Sequence, residues 1–201
     1  PKKVATIKRG KPDARYNPEP PKGGLVVRVT SKVLDGYPET DDPWRRIFQE
    51  SIGRDNLWIR ADEHQALVAG KFPKSLLSRI ARYHLVDNTR GEPPMWEQAE
   101  VKRLESEFSN GTLKATVQLE TKSGKRAYRT ELLGFVEVKK GKVTRLDLVS
   151  KGEFRGQGPY TGNPPPGWYP FAVAFQLATG KDIADRIPPQ GSRGWVAGYL
   201  R

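Results

Sequence analysis

The chain has 201 residues, 36% of them hydrophobic, with 20 glycines, 17 prolines, no cysteine and a formal charge of +12. The absence of cysteine excludes disulfides, zinc–thiolate sites, iron–sulfur clusters and thiol nucleophiles. No stretch of 18 apolar residues is present, so no segment is long and apolar enough to cross a membrane as a helix.

Residues 1–23 are rich in Lys, Arg, Pro and Gly and read as an extended or disordered lead-in to a single domain over 24–201. Arg15-x-x-Pro18-x-x-Pro21 has the spacing of a polyproline ligand, a match that proline-rich tails produce by chance. The chain starts at Pro1 rather than Met, which points to a cut N-terminus, and the expected compartment leans towards export.

Residues 25–29 form a β-branched strand. Asp42-Pro43 then predicts a helix start, because Asp caps and Pro is pre-organised for the first helical position. Trp44, Ile47, Phe48 and Ile52 follow at helical spacing, and Gly53 ends the run. Residues 57–59 read as a short strand, and 61–70 is ambiguous. A second helix starts near Pro73, with Leu76, Leu77 and Ile80 on one face, and runs to about Tyr83.

The clearest pattern lies between Trp96 and Arg155. Asn110-Gly111, Ser123-Gly124 and Lys140-Gly141 punctuate four apolar, β-branched segments, so consecutive strands are antiparallel neighbours. Leu113, Ala115, Val117 and Leu119 alternate with polar residues, giving one buried face and one wet face. In the next strand Tyr128, Leu132, Val136 and Val138 share a parity. Leu133 and Phe135 take the other, which predicts cover on both sides, and Gly134 marks a bulge or close approach. In the fourth strand Val143 and Val149 oppose Leu146 and Leu148. Residues 171–177 predict a further buried strand, and 182–187 one helical turn before Pro188-Pro189 and Gly191. Trp195 is the residue expected to pin the C-terminus. The fold class is therefore α+β: an antiparallel β-meander, strongly twisted or barrel-like, with two short helices packed on it.

The charge is uneven. Residues 1–60 hold 13 basic and 8 acidic residues, 61–120 hold 8 and 9, 121–155 hold 10 and 4, and the remainder 4 and 2. A basic excess suits polyanions, acidic sugars or anionic lipids, and equally a solvated basic surface. Lys125 and Arg126 fall at one hairpin turn and Lys139, Lys140 and Lys142 at the next. Consecutive turns of a meander lie at opposite ends, so the cations are split and nucleic acid is disfavoured.

The densest polar loop is Asp87-Asn-Thr-Arg90-Gly-Glu92. Asp87 and Glu92, with His84, could serve a hydrolase, with Arg90 orienting an anionic group; the alternative is a turn whose Asp bonds its own backbone. His64 and His84 match no metal-ligand spacing, so no metal site is assigned. Gly156-x-Gly158-x-x-x-Gly162 does not open a helix after a strand, and no cofactor is assigned. The sequence carries no family signature.

Residues 156–170 are a glycine, proline and aromatic loop following Arg155. Arg155, Tyr160, Trp168 and Tyr169, with Arg90, are the ligand-binding candidates: aromatic faces stack, arginines donate, and proline lowers the ordering cost. The leading expectation is a non-catalytic ligand-binding or interaction domain taking an anionic or carbohydrate ligand or a protein. The alternatives are the Asp87/Glu92/His84 hydrolase and a polyanion-binding basic protein.

Overall fold

A computed structural model describes residue 10, residues 18–189 and residues 195–201. Most of the lead-in, with Arg15 of the polyproline spacing, and Gly191 lie outside the described residues. The fold is α+β, built on a seven-stranded antiparallel sheet in the order β2-β1-β7-β6-β5-β4-β3. Its strands are β1 (Leu25–Val33), β2 (Ile52–Ile59), β3 (Val101–Ser109), β4 (Thr112–Glu120), β5 (Ala127–Lys139), β6 (Lys142–Arg155) and β7 (Trp168–Leu177). β3 to β7 form a continuous meander, and β7 then lies beside β1. The sheet is open, with β2 and β3 as its edges. β3 carries Lys102, Arg103, Glu105 and Glu107, charges that discourage edge-to-edge pairing.

Turn chemistry sets the hairpins. Asn110-Gly111 and Lys140-Gly141 all have positive φ, at 50° and 75° and at 50° and 71°, the combination a type I′ turn requires. At Gly134 a Cβ would lie 2.5 Å from the Asp147 carbonyl oxygen, so the position is a close approach. The bulge sits further along, between Glu137 and Val138. It shifts the register of the hairpin end. Val143, expected to oppose Leu146, is therefore buried with it, while its partner Val138 is exposed at the hairpin end.

One face of the sheet is packed. Helices α1 (Pro43–Glu50), α2 (Ala61–Val68) and α3 (Lys74–Arg79) precede the meander, and α3 continues as a π-helical turn over Ile80–His84. α2 buries Glu63 and Leu67, and α3 buries Leu76, Leu77 and Arg79. The core of this face holds Val27, Val29, Val117, Leu132 and Phe175, with an aromatic cluster of Trp96, Tyr128, Phe154, Tyr169 and Phe171. The two expected helices correspond to α1 and to α3 with its π turn, and the ambiguous 61–70 stretch contains α2. α1 starts as expected, with the Asp42 carboxylate accepting from the Trp44 N–H at 2.9 Å. It buries none of its residues, however, and Ile52 belongs to β2.

Over β4 to β7 the other face is open. Leu133 and Phe135, expected to be covered, are 49% and 54% exposed, and Val149 is 49% exposed. Only their β5 and β6 neighbours of opposite parity meet the helical layer. The C-terminal segment adds a 3₁₀ turn (Ile183–Arg186) and α4 (Val196–Tyr199). Tyr199, rather than the partly exposed Trp195, is the buried anchor of that end, and Arg79 donates to its carbonyl oxygen at 3.0 Å.

Candidate functional site

The π turn and the loop after it support two separate buried networks. His84 places Nδ1 3.0 Å from Asp55 Oδ2 and Nε2 2.6 Å from the Tyr199 hydroxyl. Burial, reinforced by the Asp55 charge, pushes the Tyr199 phenol well above its ordinary value. Asp87 belongs to the second network. It accepts from the Thr89 N–H and hydroxyl, from the Tyr169 hydroxyl at 2.9 Å, and pairs with Arg90 Nη1 at 2.6 Å. Arg90 also donates to the Tyr37 hydroxyl at 3.1 Å and to the Gly162 carbonyl at 3.0 Å. Burial disfavours the Arg90 cation, but the Asp87 carboxylate together with the Tyr169 and Tyr37 hydroxyls more than offsets this. Burial and the same carboxylate push the Tyr169 phenol up.

These bonds tie the 88–94 loop to the 156–167 loop. Gly91, at φ +146°, permits the approach: a Cβ there would collide with the Tyr160 carbonyl oxygen. Among the described residues, no hydrogen bond or ion pair joins Asp87, Glu92 and His84 to one another. Glu92 is exposed and belongs to neither network. His64 meets the Gly23 carbonyl through Nδ1 at 3.0 Å.

The aromatic loop divides by role. Tyr169 is fully buried, and Tyr160 is 77% exposed. Trp168 lies between two guanidinium groups, Arg129 and Arg155, each 4.6 Å from its ring centre. Arg155 also pairs with Glu120 at 2.7 Å. Arg126, one of the hairpin cations, is buried against Trp96 with its charge aimed at the Pro94 and Met95 carbonyls.

Beside this loop system lies an open cleft of about 860 Å³. Its floor is the β1–β2 part of the face opposite the helical layer, with Arg28, Thr30, Arg54 and Asn56. Its walls are formed by Gly91 and Glu92 on one side and by Ile187, Pro188 and Pro189 on the other. Asn56 holds the second wall by donating to the Ala184 and Ile187 carbonyls at 2.7 and 2.9 Å. Arg28 braces it through Asp185 at 2.8 Å and Asp182 at 3.2 Å. The hydrogen bond from Arg28, working against burial, holds the Asp185 carboxyl below its ordinary value. Arg54 and Glu92 both line the cleft, and their side chains make no hydrogen bond or ion pair among the described residues.

No family model, curated protein or solved structure matches the chain. Sequence reasoning missed Arg28, Arg54, Asn56 and the 182–189 wall. The bonds from Arg28 and Asn56 to that wall join residues more than 120 positions apart, and no local pattern signals them.

Proposed function

We propose that the protein is a non-catalytic binding domain that takes a peptide segment bearing both signs of charge in the β1–β2 cleft, flanked by the Gly/Pro/aromatic loop. The observation that carries this reading is that Arg54 and Glu92, neither with a side-chain hydrogen bond or ion pair among the described residues, line one cleft over the sheet. Clefts of this volume suit ligand binding, and β2 is an edge strand beside which an extended chain can lie. The loop braces the site through the close approach of Tyr160 to Gly91, and the exposed Tyr160 ring is available to a ligand.

A hydrolase has less support, because Asp87 and His84 are each committed to a different buried network. Polyanion binding has less support too, because Lys125 and the cluster of Lys139, Lys140 and Lys142 sit at opposite ends of β5.

The test is fluorescence anisotropy against a panel of labelled charged peptides. Arg54→Glu and Glu92→Lys are expected to weaken the retained peptides by about tenfold or more, the scale of a lost charge-assisted hydrogen bond. Melting temperatures should be unchanged. Binding by both variants equal to that of the wild type would refute the reading.

A further inference from the structure

The uncovered face of β4–β7 presents an apolar centre within an ordered array of charges. Cross-strand register places Lys114, Leu133, Val149 and Ala174 in one row. One row to one side stand Glu131, Lys151 and Ala172; one row to the other stand Phe135, Asp147 and Gln176. Beyond these come the pairs Arg129–Glu153 and Glu137–Arg145. Leu133, Phe135 and Val149 are each about half exposed, and a contiguous apolar patch on a sheet face marks an interaction surface.

The charges single out the partner. Across the β5–β6 boundary, three directly opposed pairs each join an acid to a base: Arg129 with Glu153, Glu131 with Lys151, and Glu137 with Arg145; a fourth, Lys139 with Lys142, joins two bases at the hairpin end, where Glu137 pairs with Lys139 within its own copy. A two-fold axis running along that boundary lays β5 of one copy over β6 of the other. Each pair then meets its own mate turned end for end, so that acid lies over base on both strands. Three squares of alternating charge result. The same axis sets Leu133 against Val149 and Lys114 against Ala174. It sets Phe135 against Asp147, whose carboxylate Arg145 already neutralises within its own copy. Other axes are poorer. One running along β6 itself would stack Lys151 on Lys151. One running across the strands through Val149 would stack Lys114 on Lys114 and turn Glu131, which has no ion-pair partner among the described residues, onto Phe135. The face is therefore self-complementary about one axis in the way an isologous interface requires.

We propose that this face docks a second copy of the chain, sheet against sheet, about the axis between β5 and β6. Strands spaced by about 4.8 Å and rising about 3.3 Å per residue give β4–β7 a projected patch of several hundred Å². That is the range of one partner's share of a standard interface, about 800 Å² of accessible surface. Aligned sheets stacked in this way cross at roughly 30°.

The experiment is sedimentation equilibrium of the full chain. The wild type should weigh twice its 22.6 kDa. Lys151→Glu makes the central square wholly acidic and Glu131→Lys makes it wholly basic, so each alone should raise the dissociation constant by about tenfold or more. Mixed together, the two variants form a square of acid over base, and the dimer should return. Circular dichroism checks that each variant is folded. A monomeric wild type, a dimer indifferent to either substitution, or a mixture that stays monomeric would overturn the proposal.

Discussion

Glu63 and Arg79 show how one buried pair can hold several elements together. Arg79 binds both carboxylate oxygens of Glu63, at 2.7 and 3.0 Å, and also reaches the Tyr199 carbonyl. Ser75 and the Arg60 N–H also donate to the carboxylate, at 2.7 and 3.0 Å, and the Arg60 guanidinium lies 3.5 Å from it. Burial alone would raise the Glu63 carboxyl, but these hydrogen bonds outweigh it and hold the group below its ordinary value of 4.5. A depressed carboxylate contributes stability above its unfolded pKa and loses it as pH falls through the folded one. Urea unfolding should therefore show stability declining below about pH 4.5, with Glu63→Gln flattening that decline. At neutral pH the substitution leaves Arg79 uncompensated and should cost about 3–5 kcal/mol. A cost below about 1 kcal/mol, the scale of an exposed pair, would contradict this account.

At the scale of elements, the hairpins follow from turn chemistry. Lys140 adopts φ 50° without the local hydrogen bonding that eases an asparagine into that region. Lys140→Asn should raise stability by a few tenths of a kcal/mol to about 1 kcal/mol, read as a higher denaturation midpoint. An unchanged or lower midpoint would argue against the type I′ assignment. These turns were legible in the sequence because they depend on two adjacent residues. The alternation of Leu113, Ala115, Val117 and Leu119 was legible for the same local reason. Parity did not reveal that Leu133 and Phe135 face solvent, because an apolar residue on a strand does not say whether another layer covers it. Helical spacing likewise did not show that α1 buries nothing. Tyr169 turns inward because its hydroxyl donates to Asp87, 82 positions away, a bond that no local pattern signals.

The whole molecule divides its work between the two faces of one sheet. The helical layer and aromatic cluster stabilise one face. The other carries the cleft over β1–β2 and the charge-patterned patch over β4–β7. The cleft was not legible in the sequence, since its floor and walls come from segments around 28, 54, 92 and 187. The aromatic loop, which was legible, adjoins the cleft through Gly91. The most direct test of the binding reading is amide chemical-shift mapping of the ¹⁵N-labelled chain with a retained peptide. The largest shifts are expected at Arg28, Thr30, Arg54, Asn56, Gly91 and Glu92. Shifts confined to the face of Leu133 and Val149, or to Lys125, Lys139, Lys140 and Lys142, would contradict it.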